Sequence, residues 1–324
     1  MHCINKQLII FINPVILGAM MEHNLSKFIG SMVGTAVGDA LGARMEGLAG
    51  VQAVHEIGPR YTDDTVMTLG VAESLVECKG YDYWDMTDRL VRNYEQEPWR
   101  RYGTGTSKVF RMMKSGRMGF GMLDRQLYPE GSFGNGAAMR VAPVGLLYYD
   151  DPRTLREIAY HTASITHSNE LAMEGAALQA CAVALAVSTD PNDIETEKFV
   201  GALRMFTKPG PYQEKLKAIM RLLNDHSSTV QVVRELGNGV EAINSVPTAI
   251  YSFLANPTFE SSVTYAVSLG GDADTIGSMC GAIAGACHGI ESLPLRWKEK
   301  VENRESIETL AEKLWKTKEN FGKT

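Results

Sequence analysis

Two sets of glycines constrain this chain more than anything else in it. One set stands at 30, 34, 38 and 42, the other at 277, 281, 285 and 289, each spaced by four residues. A spacing of four places each set along one face of a helix. Such a bare face lets a neighbouring backbone approach closely, as small residues do between membrane helices. Here Asp39 lies inside the first set while Asp272 and Asp274 sit just before the second, and carboxylates are costly in lipid. The spacing therefore predicts a tightly packed central helix pair in a soluble bundle.

Helical periodicity runs through the rest of the chain. Phe28, Ile29, Met32, Val33, Ala36, Val37, Ala40 and Leu41 recur at i, i+3 and i+4, as do Val66, Met67, Leu69, Ala72, Leu75 and Val76. Further helical stretches are expected over 83–94, 136–149, 155–163, 171–187, 199–206, 212–223, 230–236, 246–254, 259–268, 275–290 and 306–318. Strand-like alternation is nearly absent, so the expected fold class is all-α. Proline breaks such as Glu97-Pro98, Asp151-Pro152 and Lys208-Pro209-Gly210-Pro211 are short and open no linker. A single compact multi-helix domain over 22–324 follows. The stretch 100–136 carries glycines at 103, 105, 116, 119, 121, 131, 134 and 136, and much of its backbone reads as functional loop.

Residues 1–21 read as an extension outside that core. The mostly apolar run 8–21 is broken by Asn13-Pro14 and falls short of the ~18 residues that span a bilayer. It ends without the small-residue cleavage pattern of a secretory signal, which favours a working start near Met20. Five cysteines, odd in number and without a C-x-x-C, fit buried thiols in a reducing compartment, so the expected location is cytoplasmic. A net charge of −6 with no run of five Lys or Arg argues against dedicated nucleic-acid binding, and no membrane partner is expected.

Two motifs repeat one chemical idea about two hundred residues apart. Thr62-Asp63-Asp64-Thr65 precedes one helix and Asp272-Ala273-Asp274-Thr275 another. Carboxylates and hydroxyls without Cys or His are the donor set of Mg²⁺, Mn²⁺ or Ca²⁺ rather than Zn²⁺. Four carboxylates exceed what one ion needs, so two ions about 3.5–4 Å apart are expected. The plainer alternative is that each motif is a helix cap favoured by the macrodipole. Against it, both clusters double their carboxylates, and grouped carboxylates repel without a cation.

A third segment, Gly131-Ser132-Phe133-Gly134-Asn135-Gly136-Ala137-Ala138-Met139-Arg140, reads as a glycine loop entering a helix, whose amides suit a diphosphate. It lacks the Gly-Lys-Ser/Thr of a P-loop and follows no strand. The alternative is an ordinary turn. The sixteen methionines show no ligand spacing and read as core or loop filling, and His55, His161, His226 and His288 as structural.

These residues resemble the ADP-ribosylglycohydrolases, a family that includes the dinitrogenase reductase-activating glycohydrolases and the enzymes removing ADP-ribose from serine and from poly(ADP-ribose). The resemblance spans about 26–290. It rests on Gly38-Asp39-Ala40-Leu41-Gly42 followed by Glu46, on Tyr61 to Thr65, on Gly131 to Arg140, on Ile165-Thr166-His167 and on Gly270 to Thr275.

The resemblance implies an all-α domain with a binuclear Mg²⁺ site, Mn²⁺ being the alternative ion. Matched position by position, Thr62, Asp63, Asp64, Asp272, Asp274 and Thr275 become the metal ligands. Glu46, Asp272 and Asp274 become the catalytic carboxylates, Glu46 matching the mobile glutamate near the scissile bond. Gly131, Ser132, Phe133, Gly134, Asn135 and Gly136 match the loop holding the diphosphate and distal ribose, and His167 a histidine at the cleft. Asp39 is expected to support the site from behind. The implied activity is Mg²⁺-dependent hydrolysis releasing ADP-ribose from a protein side chain, with O-linked serine favoured, from poly(ADP-ribose) or from O-acetyl-ADP-ribose. Its partner is thus an ADP-ribose-bearing protein, polymer or small molecule. Alternatives are an ADP-ribosylarginine hydrolase and, in another class, an inactive ADP-ribose-binding or crystallin-like structural protein.

Overall fold

The computed structural model describes residues 14–47, 56–58, 60–116 and 122–321, with 14–23 as backbone alone. Residues 1–13, Cys3 among them, and His55, Met118, Gly119, Gly121 and residues 322–324 lie outside the described residues. Among the described residues there are sixteen α-helices and no strand. In chain order they are α1 (Pro14–Gly42), α2 (Asp63–Glu77), α3 (Tyr83–Gln96), α4 (Thr104–Ser115), α5 (Met122–Leu127), α6 (Ala142–Leu147), α7 (Pro152–Ser164) and α8 (Glu170–Ser188). There follow α9 (Thr196–Phe206), α10 (Pro211–Asn224), α11 (Thr229–Leu236), α12 (Ala242–Leu254), α13 (Phe259–Ser268), α14 (Ala273–His288), α15 (Leu295–Lys298) and α16 (Arg304–Asn320). The fold is all-α.

The glycine sets do what their spacing predicts. Helices α1 and α14 run antiparallel at the centre, so that a Cβ on Gly30 would lie 2.5 Å from the Gly285 carbonyl oxygen and one on Gly277 2.6 Å from that of Gly38. Gly34 faces Gly281 and Gly42 faces Ala273 in the same way. Each contact is backbone against backbone, which no side chain could permit. Helices α8, α12, α13 and α16 pack around this pair. Helix α8 is mostly apolar around its circumference, and nearly all of it is buried. Phe28 of α1 meets Trp315 of α16 edge to face at 5.0 Å.

Two local expectations are overturned. The stretch 136–149 is not one helix: residues 136–140 turn, and α6 begins only at Ala142. Pro143 sits at the start of α6, where its missing N–H costs nothing, whereas inside one long helix it would remove a hydrogen bond to the preceding turn. The stretch 100–136 is outside helices over much of its described length, as expected, but it also holds α4 and α5. Val109 and Phe110 of α4 are wholly buried, and that packing outweighs the flanking glycines. Helix α14 also ends before 290, at His288, where Gly289 takes the left-handed φ of +76° that closes many helices.

Candidate functional site

The first acidic motif is held from inside the protein. Thr62 caps α2, its side chain accepting from the Asp64 amide at 3.4 Å. Behind the cap, Asp39 of α1 is fully buried, and its carboxylate accepts from the Thr62 amide (2.9 Å), the Thr65 amide (3.0 Å) and the Thr65 hydroxyl (2.6 Å). A carboxylate bonded to amides at a helix start satisfies orphan donors and opposes the dipole. Burial nevertheless pushes the Asp39 carboxyl up to about 6, those hydrogen bonds holding it back. As expected, Asp39 stands behind the motif. The Asp63 amide donates to the Arg100 carbonyl at 2.7 Å, which directs the chain into α2.

The second motif hangs from a double-glycine turn. Gly270 and Gly271 both lie in the left-handed region, at φ +69° and +67°. The Asp272 amide then donates to the Asn238 carbonyl at 2.9 Å, and the Thr275 amide to Asp274 Oδ1 at 2.9 Å. The Asp272 carboxylate accepts from Asn135 Nδ2, which also donates to the Ser245 hydroxyl at 3.1 Å. Thr275 Oγ1 donates to Asp64 Oδ2 at 3.4 Å, joining two motifs 211 residues apart in sequence. Glu46 joins from the end of α1, since one oxygen each of Glu46, Asp272 and Asp274 lie within 4.8 Å of one another. The Gly47 amide, donating to the Gly271 carbonyl at 2.8 Å, ties the Glu46 segment to the same turn.

Grouping so many acids indoors perturbs them all in one direction. Burial, then the neighbouring Asp39 charge, pushes the Asp63 carboxyl up to about 8. Asp64 and Asp274 are held well above the usual carboxylate range by burial first and by their acidic neighbours second. Asp272 is raised by burial, with Asn135 opposing it. Asp64 Oδ1 is buried and has no hydrogen-bond partner. A buried, unpartnered carboxylate oxygen amid other carboxylates is a poor arrangement for a protein alone and a good one for a hard cation. Asp63, Asp64, Asp272, Asp274 and Thr275 all open onto one cleft and fit such an ion, with Glu46 beside them. Thr62 does not line that cleft; its hydroxyl donates to Asp64 Oδ2 at 3.2 Å.

The cleft measures about 320 Å³, and its lining also includes Ser132, Gly134, Asn135, Gly136 and His167. Gly131 and Phe133 do not line it. Gly131 is buried at φ +75° against Ser168 and Asn169, and Phe133 is 55% exposed outside. The loop also differs from a helix start presenting amides. Its Gly131, Ser132, Gly134 and Asn135 amides donate within the protein, to Tyr128 O (2.7 Å), Asp124 Oδ2 (2.9 Å), Ser132 Oγ (3.4 Å) and Val240 O (2.9 Å). What this loop offers the cleft is therefore mainly side chains and a bare glycine surface.

His167 is buried and faces that surface, with a Cβ on Gly136 meeting its Cε1 at 2.8 Å. Arg140 Nη1 donates to Thr166 Oγ1 at 2.8 Å, leaving the Thr166 hydroxyl to donate to His167 Nδ1 at 2.7 Å. That network assigns the proton to Nε2, on the side of Gly134 and Gly136. Burial, with help from Arg140, drives the ring down to about 3, so it is a neutral donor. Several residues here carry no sequence signal. Asp124, fully buried, accepts from the Ser132 amide, the Ser168 amide (2.7 Å) and the Ser168 hydroxyl (2.9 Å), tying the loop to the residue after His167. Arg101 donates to Glu46 Oε2 at 2.8 Å, and Tyr128, Met139 and Val240 also line the cleft.

Comparison with known proteins adds to this geometry. The family model for ADP-ribosylglycohydrolase matches residues 20–322. The ADP-ribosylhydrolase ARH3 of Bos taurus is 35% identical over 92% of this chain and 94% of its own length. That of Homo sapiens is 33% identical over 90% and 93%. The ADP-ribosylarginine hydrolase Tri1 of Pseudomonas putida (strain GB-1) is 25% identical over 91% and 79%. Among solved structures, an ADP-ribosylglycohydrolase-related protein complex superposes with a TM-score of 0.72 at 28% identity, covering 92% of this chain and 99% of that one.

Proposed function

The chain belongs to the ADP-ribosylglycohydrolase family, and from that membership we propose that it hydrolyses the bond between the anomeric carbon of ADP-ribose and an O-linked acceptor, with Mg²⁺ as cofactor. The observation that carries this most is the meeting of Asp64 with Thr275, and of Asp272 and Asp274 with Glu46, in one cleft. The chemistry that a bound pair of divalent ions supplies is orientation of the ribose hydroxyls and acidification of water. Asp63, Asp64, Asp272, Asp274 and Thr275 hold that pair, Thr62 acting through Asp64. Their negative charge also favours the oxocarbenium character that develops as the glycosidic bond breaks. Glu46, more exposed than the rest, accepts the proton of the attacking water. The neutral His167 donates from Nε2 to an oxygen of the bound ADP-ribose, and Asn135 keeps Asp272 aimed at the site.

The O-linked acceptor is favoured by the likeness of Gly131 to Arg140 to the serine and poly(ADP-ribose) branch. The test is to incubate the protein with Mg²⁺ and, separately, ADP-ribosyl-serine, ADP-ribosyl-arginine, poly(ADP-ribose) and O-acetyl-ADP-ribose, and to measure free ADP-ribose. Release from the O-linked substrates is expected, with at least a roughly hundredfold loss in Asp272→Ala. Release from arginine alone overturns the acceptor, and ADP-ribose binding without any release supports the inactive alternative.

A further inference from the structure

We propose that Arg140 and Thr166 are positioning residues that fix His167 in one tautomer, so that the cleft meets ADP-ribose at this point with a fixed N–H donor and never with a base; this rests on ADP-ribose occupying the cleft. His167 lines the cleft, whereas Arg140 and Thr166 do not, and they act on it only through the ring.

Arg140 is wholly buried, and among the described residues its hydrogen bonds go to neutral oxygens. Nη2 donates to the Thr162 carbonyl at 2.7 Å, and Nη1 to Thr166 Oγ1 at 2.8 Å and to the Gly136 carbonyl at 3.3 Å. A buried guanidinium set among neutral oxygens is a costly way to stabilise a fold. Its three bonds join the end of the glycine loop, the last turn of α7 and the residue before His167. The same ten-residue segment therefore touches both edges of the imidazole. Gly136 and Gly134 leave room at Nε2, where added Cβ atoms would come within 3.1 and 3.4 Å, and Arg140 works on Nδ1 through Thr166.

A guanidinium can only donate, so at Thr166 Oγ1 it occupies a lone pair and leaves the hydroxyl proton to be placed. His167 Nδ1, at 2.7 Å, is the acceptor the structure provides. With the ring proton on Nδ1 instead, the hydroxyl would accept from both sides. Its own proton, on a residue only 2% exposed, would then go unbonded, and a buried unmade hydrogen bond is expensive. The relay thus selects Nε2–H. A ring held this way offers its N–H to an acceptor oxygen, a ribose hydroxyl or a phosphate oxygen, whereas the other tautomer would turn a lone pair toward the same atom and repel it. Nor can Nε2, already carrying its proton, take one from the attacking water, which leaves that step to the carboxylates.

The test uses the full chain with nitrogen-15 in its histidines, His167→Gln serving to identify the ring. Two-bond proton–nitrogen correlation spectra at pH 7 should show His167 as a single Nε2–H tautomer in the wild type and in Thr166→Ser, and a mixture of both tautomers in Thr166→Val. In EDTA, calorimetric titration with ADP-ribose should show roughly fivefold weaker binding to Thr166→Val, with Thr166→Ser within about twofold of the wild type. An Nδ1–H ring in the wild type overturns the proposal, as does a Thr166→Val protein that keeps either the pure Nε2–H tautomer or the wild-type affinity. A serine variant as weak as the valine one places the effect in packing instead of the hydroxyl, and overturns it too. If Thr166→Val does not fold, Thr166→Ala takes its place. The spectra need neither substrate nor metal, so if ADP-ribose binds and nothing is hydrolysed, the hydrolase assignment falls and the relay stands. If ADP-ribose does not bind at all, the cleft reading and the donor role fall together, and the spectra still decide the tautomer.

Discussion

Along the α1–α14 seam, a methyl group on Gly30, Gly34, Gly38, Gly277, Gly281 or Gly285 would run into the backbone of the facing helix. In the stretch 100–136 the obstacles are mostly side chains or nothing. Tyr128 stands beside Gly105 and the His167 ring beside Gly136, each at 2.8 Å from an added Cβ, while Gly103 and Gly116 have nothing within 4 Å. Backbone in a packed helix moves only if the helix moves, whereas a side chain can rotate. Glycine in the seam therefore decides whether the fold closes, and glycine near the cleft decides what shape the cleft has. Gly131 is the loop's exception, pressed against the Asn169 amide at 2.5 Å.

The largest effect should come from Gly38→Ala, which must push α1 and α14 apart because its Cβ would lie 2.0 Å from the Gly277 carbonyl oxygen. A cost of about 3 kcal/mol, or a melting temperature lower by about 4 °C, is expected by thermal circular dichroism. A shift under about 2 °C would mean the seam slides cheaply, and would break the contrast between the two regions.

Next in size is the imidazole that Gly136 accommodates. His167 is driven down to about 3, below its value of about 6.5 in an unfolded chain, so between those limits the unfolded chain takes up a proton that the folded one refuses. Stability due to this ring is therefore fully present above about pH 6.5 and declines on acidification through that window. Going from pH 7 to pH 5 should cost the wild type about 2 kcal/mol more than His167→Gln, measured by urea unfolding. Equal pH slopes would mean that the ring is solvated.

The smallest effect belongs to Gly116→Ala, at the C-terminus of α4. With open space around it and φ at 176°, the change should stay within about 0.5 kcal/mol of neutral in the same unfolding assay. A loss above 1 kcal/mol would place Gly116 with the seam glycines instead.

The same contrast explains what could be seen in the sequence. Spacing by four is a local property of a helix, so the seam and its partner helices were visible as pattern. Glycine density without a period says only that backbone is unconstrained, and α4 formed there because Val109 and Phe110 had a core to enter. The acidic motifs were legible because their residue types are unusual together, and the structure brings Asp64 to Thr275. Asp124 was not, nor was the pairing of Arg101 with Glu46, because their meaning lies in partners 44 and 55 residues distant, Ser168 and Glu46. Nor did any residue pattern reveal that the Ser132 and Gly134 amides are already engaged, which leaves the loop's side chains facing the cleft.

A ladder of identical rungs leaves its own phase undetermined. If α14 slid one repeat along α1, glycine would again meet glycine, about 6 Å from where it started. What marks the zero is serine: Ser31 Oγ donates to the Ala282 carbonyl at 2.9 Å, and Ser26 Oγ accepts from the Ile290 amide at 3.2 Å. Asp272 rides at the start of α14 and Asp39 near the end of α1. The separation of the acidic groups is thus gauged further along the helices, by hydroxyls that never touch them.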